Sequence, residues 1–247
     1  MKLKKITILI CFLFFVLGCS KPSECIESTG AIITRDFSVN TFDKIIIYSG
    51  ISLVITQGPV ACVRVQTGEN LIGNIEVNVE NGLLAVKDKT TCNWVRDYGN
   101  TTVFVTAPNL TEIHSKTEKN TTSNGVLTYP ILSLISTDLS DGAGTGDFYL
   151  NINNSQLVIE NNNVSRYFIS GLTNKLKVNF YEGNGRFIGN SFNAKEVEIF
   201  HRGTNDIIVK PIDKITGKLY STGNLILKNT PPIVEVQQYY QGRVIYN

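Results

Sequence analysis

The chain has 247 residues, of which 42% are hydrophobic and 18% charged, with a formal net charge of +2. That is an ordinary globular mix, rich enough for a large core and compatible with a single all-β domain. No strongly basic field is present, which argues against nucleic acid as a partner.

The N-terminus carries the most specific signal. Met1 to Lys5 is basic, and Ile6 to Leu17 is apolar except for Thr7, too short a run to span a bilayer comfortably. It stops at Val16-Leu17-Gly18-Cys19, which predicts a signal peptide over 1–18. These four residues resemble a bacterial lipobox. The resemblance implies that Cys19 becomes the lipidated N-terminus (a palmitate-bearing lipoprotein anchored to a membrane). Loss of Lys2, Lys4 and Lys5 would take the formal charge from +2 to −1. Ser20 in place of Asp resembles the outer-membrane sorting pattern, with the periplasm and the cell surface both left open. Residues 19–33 are small, polar and non-periodic, and read as a lipidated tether.

Five cysteines occur: Cys11, Cys19, Cys25, Cys62 and Cys92. In an oxidising envelope a Cys62–Cys92 bridge is one option and free thiols the other, because spacing alone cannot decide. There is no Cys-x-x-Cys, and the only histidines are His114 and His201, so no zinc site, metal or cofactor is expected.

From residue 34 to 247 the pattern is that of one β domain. Residues 34–106 hold the first strands, 107–229 the repeats and 230–247 a closing cap. Phe42 to Ile47 is an apolar run, and Ile51 to Ile55 and Val63 to Val65 alternate. Glu69 to Ile72 reads as a turn or a single helical turn. Ile75 to Val79 alternates and meets Asn81-Gly82, a hairpin signal leading into Leu83 to Val86. Thr102 to Thr106 is the last strand before Pro108.

Apolar positions then recur at a step near 20 residues. One series is Ile113, Leu134, Ile159, Val178, Ile199 and Leu219. A second is Leu127, Phe148, Phe168, Phe187, Ile207 and Leu225. Leu176 to Phe180 shows the period of two that marks a strand. Gly and Asn clusters separate the runs. Such a step leaves no room for a helix, and one coil cannot bury its own apolar face. Stacked coils can, so the pattern predicts a β-solenoid with inward positions stacked and polar alternates facing water. An antiparallel sandwich also shows short strands between turns, but the constancy of the step favours the solenoid.

Phe42-Asp43-Lys44-Ile45, Gly50-Ile51, Val54 to Gly58, Val63-Arg64-Val65, Glu69-Asn70-Leu71 and Gly82-Leu83 resemble the "putative auto-transporter adhesin, head GIN domain" family of Bacteroidetes envelope lipoproteins. The resemblance implies a right-handed parallel β-helix and an adhesin-like, non-enzymatic role toward a glycan or surface protein. Pro108-Asn109-Leu110 fits the family pattern. Ser115-Lys116-Thr117-Glu118 departs from its usual Ser-Gly-rich turn. Fold alone does not assign activity.

Catalytic motifs are missing: Gly-x-Ser-x-Gly, His-Glu-x-x-His and the P-loop do not occur. Asp138, Asp141 and Asp147 flank Gly142 to Gly146 in the longest step and are candidate ligand-binding acids, since insertions in solenoids map to loops on one face. A solvated glycine loop is the plainer reading. Trp94 and Tyr98 sit in a polar loop that can stack on sugar rings or cover the end of the solenoid. His201-Arg202 reads as a solvated corner, and His114 as outward-facing. A carbohydrate-active enzyme on the same scaffold, and an envelope assembly or stress component with a membrane-protein partner, are the alternatives. Nothing in the sequence points to an oligomeric state.

Overall fold

The computed structural model describes residues 29–90, 101–137 and 144–247. Strands β1 (Ile32–Phe37), β2 (Lys44–Tyr48), β3 (Ile51–Gln57) and β4 (Cys62–Gly68) lead to a 3-10 turn at Ile72–Asn74. Then come β5 (Ile75–Glu80), β6 (Leu83–Asp88), β7 (Thr101–Ala107), β8 (Glu112–Lys116), β9 (Thr121–Leu127) and β10 (Ile131–Ser136). Four long strands follow: β11 (Phe148–Asn161), β12 (Arg166–Phe180), β13 (Arg186–His201) and β14 (Ile207–Leu219). The chain ends with β15 (Leu225–Leu227), β16 (Ile233–Gln238) and β17 (Val244–Tyr246).

Parallel pairing stacks these strands into a β-solenoid of about six turns with roughly 21 residues per turn. Each long strand serves two faces. Its first half lies on a front face with β7, β3, β9, β15 and β17, and its second half on a back face with β6, β2, β8, β10 and β16. The bends carry their own hydrogen bonds. At one of them the Thr173 hydroxyl donates to Asn154 Oδ1 at 2.7 Å, and Asn154 Nδ2 donates to the Gln156 carbonyl at 2.8 Å. Bent backbone that leaves the ladder needs such partners when it is buried.

The stack does not follow the order of the chain. Coil β2–β3 lies between β6–β7 and β8–β9, because β2 pairs in parallel with both β6 and β8, and β3 with both β7 and β9. The parallel stack therefore includes strands well before residue 107. Antiparallel strands close its first end: β4 pairs with β7 and β1, and β5 pairs with β6. The β5–β6 turn is made by Asn81 and Gly82 at φ 51° and 78°, the left-handed pair that a two-residue hairpin requires. At the other end, residues 230–247 form one more parallel coil, β16 on β14 and β17 on β15.

The core is one continuous cluster running the length of the stack. Ile113, Leu134, Ile159, Val178 and Ile199 are in register as expected. Three expected positions are corrected. Tyr167, not Phe168, stands between Phe148 and Phe187 in the interior, because that coil is one residue shorter than the spacing assumes. Gly217 lies opposite Ile199 and Leu219 opposite His201, after a register shift between Ala194 and Glu196. Leu127 pairs with Ile152, while Thr121 faces Phe148, across a bulge.

His201 is a further correction. It is buried in the stack and not on a solvated corner. Its Nε2–H donates to the Asn205 carbonyl at 2.8 Å, Nδ1 accepts from the Gly203 N–H at 3.3 Å, and its ring meets Phe180 edge-on at 5.8 Å. Both nitrogens are satisfied in the neutral form. Burial holds the pKa below the ordinary 6.5, against weaker opposing effects of the Asn205 carbonyl and Asp206. Unfolding frees an imidazole that protonates more readily. The contribution of neutral His201 is complete above about pH 6.5 and is lost as pH falls toward the folded-state value. The thermal midpoint is expected to fall between about pH 7.5 and 5.5, and His201→Gln to flatten that slope. Equal slopes in both proteins would remove His201 as the titrating group.

Candidate functional site: an apolar row on the outer front face

Outward positions in a solenoid are ordinarily polar. On the front face one outward row is not. Tyr149, Phe168, Ile188, Ile208, Ile226 and Ile245 face each other across successive coils. Thr122, Val54 and Phe104 continue the row toward the first end. Tyr149 and Ile245 are each 40% exposed, while Phe168, Ile188 and Ile226 are half-buried and Ile208 is buried. The Tyr149 and Phe168 rings stack at 4.6 Å and 3°.

Two different forces act on such a row. Cross-strand apolar pairs stabilise the stack itself by about 0.2–1 kcal/mol each. They also leave contiguous apolar area at the surface, which monomeric proteins rarely keep without a use. The back face decides between a general rule and a local feature. Its outward positions carry Lys177 and Glu198 at 3.0 Å, Lys214 and Glu235 at 3.0 Å, and Lys44 and Glu112 at 2.9 Å. Charge pairs thus serve part of the back face, while the front face carries an apolar row running through six coils.

Polar rows border it on both sides. On one side lie Asp147, Arg166, Arg186 and Asp206. The Arg166 guanidinium grips Asp147 with Nε 3.1 Å from both carboxylate oxygens and Nη2 2.5 Å from Oδ2, and its Cζ lies 5.6 Å from the Phe168 ring centre. The Arg166 backbone N–H adds a bond to Asp147 Oδ1 at 3.1 Å. Arg186 and Asp206 pair at 3.5 Å. On the other side are Asn151, Ser170 and Asn190. A shallow depression of about 420 Å³ lies among Tyr149, Phe168, Ile188 and these polar residues. Its lining holds no titratable side chain except the Tyr149 phenol. The site is built for contact, with an apolar floor and hydrogen-bonding edges, and offers no facing acid and base.

Of the residues singled out in the sequence, Asp147 is 8% exposed, borders the row and is paired with Arg166. Asp138, Asp141, Trp94, Tyr98, Cys92 and Cys19 lie outside the described residues. Cys62 is half-buried at the start of β4. His114 points outward and meets Glu112 at 2.9 Å. Among the described residues, no group of three or more His, Cys, Asp or Glu is placed to hold a metal, and no helix is long and apolar enough to cross a membrane.

The family model described as "Putative auto-transporter adhesin, head GIN domain" matches residues 41–231. The chain belongs to this head GIN family. Its fold is shared with a "putative adhesin" crystal structure from Bacteroides fragilis, at TM-score 0.79 and 20% identity over 90% of this chain and 100% of that one. A "putative adhesin" from Parabacteroides merdae gives 0.64 at 15% identity, covering 90% and 98%. A "Putative lipid binding protein" from Parabacteroides distasonis gives 0.61 at 15%, covering 89% and 99%. No curated protein matches. The head GIN resemblance read from the first strands is thus established, and its stacked parallel β architecture with it. The apolar row was missed, although a signal existed. Phe148-Tyr149, Ile207-Ile208 and Leu225-Ile226-Leu227 each break strict alternation with an adjacent apolar residue.

Proposed function

We propose that this chain is a non-enzymatic, adhesin-like binding module of the bacterial envelope. It is anchored through lipid on Cys19 after removal of residues 1–18 and held by the tether 19–33. It meets a surface protein through the front face. The observation that carries the reading is the apolar row running through six coils of that face, bordered by Arg and Asp on one side and Asn and Ser on the other. Membership of a family and a fold group described as adhesins supports it.

A second reading is a lipid surface as the ligand, favoured by the same row and by the name of one structural neighbour. Co-sedimentation of a chain starting at Ser20 with vesicles of phosphatidylethanolamine and phosphatidylglycerol separates the two. Pelleting favours lipid. Protein left in the supernatant, together with saturable binding to immobilised protein, favours the first reading.

The anchor has its own test. Metabolic labelling with a palmitate analogue is expected to tag the wild-type chain and not Cys19→Ala, with the variant moving from the membrane to the soluble fraction. Label retained in Cys19→Ala would remove the anchor from the account.

A further inference from the structure

A second aromatic feature lies on the back corner, away from the front row. Tyr181, Phe200, Tyr220 and Tyr239 come from successive coils and meet ring to ring at 5.8, 5.4 and 4.8 Å. Tyr220 and Tyr239 are parallel within 5°, and the other steps are tilted by 48° and 51°. The rings keep part of their surface in solvent. Tyr181 and Tyr220 are 38% exposed and Tyr239 57%. Tyr239 is on the last coil, where no further ring covers it. Beside the ramp is an open depression of about 460 Å³ lined by Glu198, Phe200, Thr216, Lys218, Glu235 and Gln237.

We propose that this ramp is a binding site for a neutral, linear, β-linked polysaccharide, lying along the solenoid axis with pyranose rings on the aromatic steps. Three features select that ligand. The ramp offers one ring per coil at a spacing close to the length of one sugar in an extended chain, so a repeating ligand meets a repeating surface. The rim offers the Glu198 and Glu235 carboxylates, each already paired with a neighbouring lysine (Lys177 and Lys214), together with the Lys218 ammonium, the Thr216 hydroxyl and the Gln237 amide, a set that can hydrogen-bond hydroxyls. A pyranose presents an apolar C–H face and a polar edge, and the ramp with its rim has the same division. The proposal rests on the binding-module reading and adds a ligand class and a second surface to it.

Affinity electrophoresis tests it, using the soluble chain from Ser20 in native gels containing hydroxyethylcellulose, xylan, galactomannan or laminarin. At least one gel is expected to retard the protein. Tyr220→Ala is expected to weaken that retardation about tenfold, while Tyr220→Phe, which keeps the ring, holds it near wild type. Tyr239→Ser, at the exposed last coil, keeps the test open if Tyr220→Ala fails to fold. No retardation in any gel, or retardation unaltered in Tyr239→Ser and Tyr220→Ala, would overturn the ramp as the site. Protein binding by the front row that survives such a result would leave the binding module standing without the polysaccharide.

Discussion

Tyr167→Ala is expected to destabilise the fold by about 3–5 kcal/mol, the range for removing a large buried aromatic side chain. Tyr167 is fully buried, stacks on Phe148 at 4.8 Å and 9°, and lies 6.1 Å from Phe180. Its hydroxyl donates to Asn161 Oδ1 at 3.2 Å inside the stack, and burial pushes the phenol pKa well up. Alanine leaves a cavity between coils and strands the Asn161 oxygen. Tyr167→Phe keeps the ring and loses only the hydrogen bond, so its cost should be near 1 kcal/mol. For a chain of this size each kcal/mol lowers the thermal midpoint by about 2–4 °C. Denaturant midpoints for the two variants check the ratio. A loss below about 1 kcal/mol for alanine would mean that the ring does not link the coils as described.

Phe168→Lys combined with Ile188→Lys should act in the opposite way, with a large effect on binding and a small one on stability. The two residues are direct neighbours in the outward row, one residue from the interior positions Tyr167 and Phe187. Substitutions at outward positions usually change stability by less than about 0.5 kcal/mol, with up to about 1 kcal/mol more for each lost ladder pair. Two ammonium groups beside Arg166 and Arg186 would place four cations around the depression and desolvate poorly against an apolar partner. Residues at the centre of a contact commonly cost 2 kcal/mol or more when removed, about thirtyfold in affinity. Titration of the variant against the protein bound by wild type reads this directly. An affinity within about twofold of wild type would place the contact elsewhere.

The sequence carried the period and the local turns because both are local properties. Leu176 to Phe180 alternates in the structure as it does in the sequence, and Asn81-Gly82 takes the left-handed pair its residue types favour. Register was less readable. Phe168 and Tyr167 are adjacent aromatics, and only the length of the coil decides which one enters the interior. The insertion of β2–β3 between two later coils has no local signature either, because it depends on pairing between strands far apart in the chain. His201 was misplaced for a related reason. A histidine at the end of a strand resembles a corner residue until the register shift in β14 is known, and Leu219 across from it shows that the position is interior.

The candidate site followed the same division. Asp147 could be singled out, but its partner Arg166 lies in the next coil, and that pairing turns a free acid into a bordering ion pair. The apolar row and the aromatic ramp are both sums over coils. Tyr149, Phe168 and Ile188 are unremarkable singly, as are Tyr181, Tyr220 and Tyr239. Stacking at one strand spacing per coil makes them surfaces.

The most direct measurement is solid-phase binding of the lipid-free chain from Ser20 to a panel of immobilised envelope proteins, collagen, fibronectin and mucin. The account predicts saturable binding to at least one of them, reduced by the paired lysine substitutions at Phe168 and Ile188. A panel that stays empty at millimolar concentration would contradict the account and leave the solenoid with a structural role in the envelope.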